Sequence, residues 1–405
     1  MVGPGFSDAP SVGAMRLVVD AFKAHGVTLH IDPQHTAIPA RAVIVPDWGS
    51  YAIEPGFDDP ACTGPDAVRF SDLQARYFHP SSSHPWHYAV FGEHVFTDTA
   101  ADANHCPATV ETGGEPLPNT SGVGQVGFLD DPSTLGYDFV VAMGSLRDVG
   151  ITPTDTTVAA IFMHELGHNL GLQHGGAPVA GNDYFDNFKP NYISVMNYDF
   201  QFGIPYAATP GSNVTTGYRV DYSDSQLPDL NEANLDEAVG LQDTAHPTDI
   251  TYSCSDEFCS TRVPAFGPVD WNGNGNTTDI NVQSDLNQNG ILNIDNGFDD
   301  WAWIHARLNP PTVAHFFPTT VYPGQAIEIC GVNLYSPATV IFGGGATATG
   351  SSNQPGPPPG TGSCGPSDFG YAVDVNVPAG AKSGPISVVT TEGRATSRQN
   401  LTVMP

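Results

Sequence analysis

The sequence predicts an α+β region over residues 1–309 followed by an all-β sandwich over residues 310–405. Three observations carry this reading. Helical and strand-like segments alternate through the first part of the chain, an apolar helix runs into a histidine-rich stretch at His164, and short apolar stretches separated by Gly/Pro turns fill the C-terminal part. Residues 14–25 carry apolar positions at helical spacing and stop at Gly26, a C-cap signal. Residues 27–31, 42–45, 86–96 and 139–143 read as strands, rich in aromatic and β-branched side chains. Residues 154–163 offer Thr or Asp caps and then an apolar run, which predicts a second helix. Residues 227–241 read as a third, capped near Asp229 or Asn231. Beyond residue 310, the segments 311–314, 327–334, 340–344, 375–380 and 384–388 alternate apolar and polar positions between turns, and residues 350–366 read as a long loop.

The stretch from His164 reads His-Glu-Leu-Gly-His-Asn-Leu-Gly-Leu-Gln-His. From this composition, its five constrained positions arise by chance with a probability of roughly 10⁻⁴ or less. Histidines four apart on a helix project from one face, so the imidazoles of His164 and His168 can reach one ion. Gly171 lets the backbone turn sharply out of the helix and bring His174 round as a third nitrogen ligand. Three protein ligands leave the fourth tetrahedral position of a zinc ion to water, the arrangement of a catalytic site. Zinc lowers the pKa of that water to about 7, and Glu165 is placed to take its proton as general base.

Downstream lies Asn-Tyr-Ile-Ser-Val-Met-Asn-Tyr, ending at Tyr198. With this segment the chain resembles the metzincin clan of zinc endopeptidases, in which a long zinc motif is followed by a tight turn carrying a methionine. The resemblance implies that Met196 is the floor under the histidines and that Tyr198 stands near the metal as a further ligand or a donor to the oxyanion. It implies a metzincin-like catalytic fold, a protein or peptide substrate, and a sheet edge that pairs with that substrate, for which residues 119–128 are the candidate. Residues 188–201 resemble a group of poorly characterised secreted metzincins of bacteria and archaea, but Gly175-Gly176 depart from the residues that follow the third histidine in the named families, so no cleavage preference carries over. The competing reading is a non-catalytic surface adhesion or carbohydrate-binding protein on a protease-derived scaffold; the intact Glu165 opposes it.

The net charge is −30, from 43 acidic and only 13 basic residues. Such a surface repels nucleic acid and anionic membrane, and the chain holds no apolar stretch long enough for membrane insertion. The start, Met1-Val2-Gly3-Pro4-Gly5, has neither a basic region nor an apolar core. Six cysteines fit an oxidising compartment; together these lead to the expectation of a secreted chain whose signal peptide has been removed. Position suggests Cys62 with Cys106, Cys254 with Cys259, and Cys330 with Cys364, although six cysteines allow 15 pairings. Between residues 268 and 300, Asp270, Asn272, Asn274 and Asp279, then Asp285, Asn287 and Asn289, place oxygens at alternate positions before glycine. That pattern resembles the first half of an EF-hand loop without its closing Glu, and predicts structural Ca²⁺, with Asp279 and Asp285 as candidates to share an ion. The C-terminal segment resembles an IPT/TIG immunoglobulin-like domain, which implies a spacer or a module with a polysaccharide or protein ligand.

Overall fold

In the computed structural model the helix Asp155–Asn169 is buried at every residue from Ala159 onward. The structure describes residues 9–32, 43–45, 67–78, 87–92, 94–95, 121–125, 138–148, 150–179, 181–253, 261–308, 311–332, 334, 338–353, 372–390 and 393–405. They form a mixed α/β structure with more strand than helix, in two compact units.

The first unit draws on residues 1–127, 136–176 and 185–298. Its central helix starts where Thr154 accepts a hydrogen bond from the Thr157 N–H, with Asp155 in the first turn against the positive end of the helix. The helix Val12–Ala24 packs on it through Ala14, Val18, Ala21 and Phe22, and Ser11 Oγ donates to Asp155 Oδ1 at 2.6 Å. On another side lies a three-stranded sheet in the order Ala89–Gly92, Phe139–Ala142, Gly122–Gly124, parallel in the first pair and antiparallel in the second. Phe162 of the helix meets Phe139 edge-on and stacks on Phe91. A second, parallel sheet joins Ala67–Arg69, Val43–Val45 and His94–Val95. Residues 27–31, expected as a strand, pair with no other strand among the described residues.

The expected helix over residues 227–241 is absent. The chain there makes two short strands instead: Leu230–Asn231 pairs with Ile294–Asp295, and Leu235–Asp236 pairs with Ile280–Val282. Each is followed by a glutamate that is fully buried, Glu232 and Glu237. Glu237 accepts from the backbone N–H groups of Trp271, Asn272 and Asp279. Glu232 accepts from those of Leu286, Asn287 and Asn293. The two Leu-x-Glu units sit five residues apart, a spacing that puts them on different faces of any helix. Each clamps one Asn/Asp-rich loop, and Trp271 and Leu286, second in their loops, enter the same core with Leu230 and Leu235.

The second unit draws on residues 128–135, 177–184 and 299–405, and holds the helix Asp300–Leu308 and an eight-stranded sheet. In spatial order the strands are Thr312–Phe317, Ala326–Val332, Ala372–Asn376, Thr347–Asn353, Ala338–Gly343, Lys382–Thr390, Gly393–Val403 and Thr320–Val321. The sheet curls until its first strand approaches Gly393–Val403. Alternate residues such as Ala338, Val340 and Phe342 enclose one apolar core, an arrangement compatible with a β-sandwich. The strand ending at Asn353 takes up the start of the expected loop, and residues 354–366 lie outside the described residues. Cys330 is buried in this core; Cys62, Cys106, Cys254, Cys259 and Cys364 lie outside the described residues.

The clamp generates a stability prediction. Truncating Glu232 leaves three backbone donors of the 286–293 segment without their acceptor, at about 1–3 kcal/mol for each group left buried and unpaired. Glu232→Ala should therefore lower the thermal midpoint sharply, and Glu232→Gln, which keeps an acceptor oxygen, should lower it less. Equal midpoints for wild type and Glu232→Ala in calorimetry would show that the loop holds itself.

Candidate functional site

His164, Glu165 and His168 stand on the C-terminal half of the buried helix, and Gly171 follows it with a φ of 86°, as a residue without Cβ allows. The chain then makes a tight turn in which Gln173 and Gly176 exchange backbone hydrogen bonds around His174 and Gly175. Gly176 has a φ of 106°, and a Cβ there would overlap the Phe298 ring, which accounts for glycine at this position. The turn brings the ring nitrogens of His164, His168 and His174 within 4.8 Å of one another, so the three could hold one metal ion.

The orientation of two of the rings is fixed by carbonyls. His164 Nδ1 lies 2.7 Å from Val195 O and His168 Nδ1 lies 2.9 Å from Leu172 O. A carbonyl only accepts, so each Nδ1 carries the proton and leaves Nε2 as a free lone pair. Burial holds all three imidazoles neutral: it pushes His164 down to about 3, His168 to about 4 and His174 to about 2, with the neighbouring histidines adding to the effect at His164 and His174. Burial pushes the Glu165 carboxyl well up.

Two glycines let the sheet edge close over Glu165. Gly122–Gly124 pairs only with Phe139–Ala142 among the described strands, and it lies within the segment expected as the edge. A Cβ on Gly122 would overlap the Glu165 carboxylate, and one on Gly124 would overlap the Glu165 backbone carbonyl. The edge is tied to the helix end: Asn169 Nδ2 donates to Gln125 O at 2.8 Å and to Asp138 O at 3.2 Å. Asp138 in turn accepts from the Tyr88 N–H and from Gln74 Nε2.

Below the helix, Met196 is fully buried, and a Cβ on Gly167, between the two helix histidines, would overlap its sulfur. Asn197 N donates to Ser194 O at 3.0 Å and Met196 N to Ser194 Oγ at 3.1 Å, making the tight turn. Tyr198 is 40% exposed, with its ring centroid 4.2 Å from that of His174. Its N–H donates to Asn187 Oδ1 at 2.9 Å. Sequence reasoning missed Asn187 and also Lys189, a fully buried lysine whose Nζ donates to Gly175 O at 3.0 Å. The signal for Lys189 was its rarity, since only three lysines occur in the chain.

The loop residues fall into two separate groups. Asp270 Oδ2 accepts from Gly275 N, and Asp279 accepts from the amides of Asn274 and Asn276, while Asn272 Oδ1 accepts from Asn274 N. Asp285 Oδ2 accepts from Gly290 N, and Asn289 N donates to Asn287 Oδ1. Asp279 and Asp285 thus serve different loops, each with its own glutamate clamp. Asp243, His246 and Asp249 also bring ligand atoms together, but Arg219 forms a two-pronged ion pair with Asp249, so these residues make a charge network.

Residues 140–192 match the family Peptidase M66. That match supports a peptidase. It runs from the buried strand through all three histidines and Glu165, and stops before Met196. No curated protein matches the chain. Among solved structures, an auxiliary nutrient binding protein from Bacteroides thetaiotaomicron is 18% identical over 24% of this chain and 21% of its own, with a TM-score of 0.18. The gamma-CGTase of alkalophilic Bacillus clarkii is 12% identical over 63% of this chain and 37% of its own, also with a TM-score of 0.18. The chain thus spans a minor part of each, and likeness at this level carries no argument.

Two predictions follow from the packing around the helix. Helix propensity favours Gly167→Ala by about 1 kcal/mol, whereas overpacking against Met196 and Tyr222 costs about 1–3 kcal/mol. The variant should melt below wild type; a variant at least as stable would show that Met196 moves aside freely. Asp138 is raised from 3.8 to about 7, by burial above all. The folded chain binds this proton more tightly than the unfolded one, so the group favours folding at acid pH, and that contribution is lost as pH rises from about 4 to about 7. Asp138→Asn should gain on wild type across that window, by at most about 1.4 kcal/mol per pH unit. Parallel stability–pH curves for the two proteins would contradict this.

Proposed function

We propose that this chain is a zinc-dependent endopeptidase of metzincin type that hydrolyses protein or peptide substrates outside the cell. One observation carries the reading: two buried imidazoles and one partly buried, all neutral, converge beside a buried glutamate and a strand edge left unpaired among the described strands. The donor set fits zinc, since nitrogen ligands on a three-histidine site leave a coordination position open. Carbonyl bonds on Nδ1 already select the nitrogen that would bind. When bound, zinc supplies a Lewis acid that lowers the pKa of a water to about 7, polarises the scissile carbonyl and favours the ionised form of Glu165.

The chain's own residues account for the rest. Glu165 takes the proton of the attacking water and returns it to the leaving amine. The Gly122–Gly124 edge offers backbone donors and acceptors to an extended peptide. Tyr198, against His174 and partly exposed, donates to the developing oxyanion. Met196 fills the space under the helix.

The reading extends to the rest of the chain. No helix among the described residues is long and apolar enough to cross a membrane. The six cysteines support a secreted, disulfide-bonded protein. The curled C-terminal sheet supports an IPT/TIG-like module with a polysaccharide or protein ligand, and the two Asn/Asp loops support structural calcium.

Casein digestion by wild type, by Glu165→Ala and by wild type with a zinc chelator tests the core of the proposal. Loss of the base should cost about 10²–10⁴-fold in rate, and the chelator should abolish cleavage until zinc is restored. Equal digestion in all three would remove both the metal and Glu165 from the reaction.

A further inference from the structure

The loop from Asp285 to Asp295 differs from its twin in one respect: a distant carboxylate enters it. Asn287 Nδ2 lies 3.3 Å from Asp186 Oδ2 and 2.6 Å from Asp295 Oδ1. Asn293 Nδ2 lies 2.9 Å from Asp186 Oδ2, and Asn289 Nδ2 lies 3.4 Å from it. Asp295 is only 1% exposed, and its Oδ2 is buried with no hydrogen-bond partner. Asp285 Oδ1 is buried in the same condition. Burial, and then the Glu232 charge, push the Asp295 carboxyl up to about 7. Lys189 also acts on Asp295, but its ammonium donates to Gly175 O.

Buried carboxylate oxygens without donors, in a group made wholly of oxygen-bearing side chains, match the chemistry of a hard cation. Zinc prefers nitrogen and sulfur, and magnesium demands a near-ideal octahedron with several waters. Calcium accepts six to eight oxygens in adaptable geometry. The oxygen and nitrogen of an asparagine amide exchange places by rotation, so the amides can turn an oxygen toward a cation, Asn287 and Asn289 giving up the bonds their Oδ1 atoms accept from Asn289 N and Ile291 N.

We propose that Asp186, Asp285, Asn287, Asn289, Asn293 and Asp295 bind one calcium ion. The site joins the loop to the wall of the histidine cluster. Asp186 precedes Asn187, whose Oδ1 accepts from the N–H groups of Phe188 and Tyr198. A cation on Asp186 therefore steadies the segment that holds Tyr198. This last link rests on the peptidase reading; the binding site does not.

Calorimetric titration with calcium on the full chain carrying Glu165→Ala tests the site without reference to catalysis. Asp186→Asn and Asp295→Asn should each weaken one binding event at least tenfold, and Asp279→Asn in the twin loop should leave that event unchanged. Calcium should also raise the thermal midpoint, and Asp186→Asn should reduce that rise where Asp279→Asn leaves this site's share intact, so this arm decides the matter even where Asp295→Asn fails to fold. Absence of calcium binding, or an affinity unmoved by Asp186→Asn, overturns the proposal. With Glu165 intact, calcium should stimulate peptide cleavage in wild type and not in Asp186→Asn; cleavage indifferent to calcium overturns the link to Tyr198.

Discussion

Much of the first unit answers to one constraint: the helix Asp155–Asn169 is buried on all sides from Ala159 onward while carrying two imidazoles, a carboxylate and an amide. A helix of this kind cannot leave its polar groups to solvent, so its two imidazoles and its amide take partners inside the protein, while burial raises the Glu165 carboxyl instead. His164 takes Val195 O, His168 takes Leu172 O, and Asn169 takes the carbonyls of Gln125 and Asp138. Those four carbonyls lie on the Met196 turn, the turn leading to His174 and the residues that flank the paired strands Gly122–Gly124 and Phe139–Ala142. Satisfying the helix therefore places the parts of the site around it. Tyr222 adds to the same frame by donating to Met163 O at 2.5 Å.

Close packing around such a helix needs places where no side chain intervenes. Gly122 and Gly124 let the edge strand lie on Glu165, Gly167 lets the Met196 sulfur lie against the helix, and Gly176 leaves room for Phe298. These contacts are steric, and they explain a composition that motif reading treats as incidental. The histidines alone mark a candidate metal site; the glycines determine what can approach it.

The legible part of this structure was local. The Thr154 cap, the apolar run, the histidine spacing and Gly171 are all set by residues within a few turns of one another, and a one-dimensional pattern records them. The tight turn at Met196 was legible by resemblance. What escaped was set by distant partners. Residues 227–241 have helical composition, yet Glu232 and Glu237 serve as acceptors for loops some fifty and thirty-five residues onward, and strand pairing with those loops overrides helix propensity. Asp186 and Asn187 look like ordinary loop residues because their partners, Asn293 and Tyr198, are assembled only by the fold. The out-of-phase Leu-x-Glu pair was the one available signal against the helix.

The charge imbalance is best understood from the interior outward. With 13 basic against 43 acidic residues, few side-chain cations remain to neutralise buried acids. Arg219 serves Asp249 and Asp221, and Lys189 is tied to a carbonyl. Glu232 and Glu237 are stabilised by backbone N–H groups, a solution that needs no positive side chain and fixes loop shape at the same time. Glu165 has neither solution, and Asp295 has only the charge of Lys189 and one amide donor, Asn287: burial dominates both, and each stands among neutral ligand-type groups, imidazoles in one case and amides in the other. A chain this poor in lysine and arginine can keep such acids ionised by recruiting cations from solution, nitrogen ligands selecting one metal and oxygen ligands another. On that argument the acidic surface and the two proposed metal sites have one origin, the scarcity of internal positive charge.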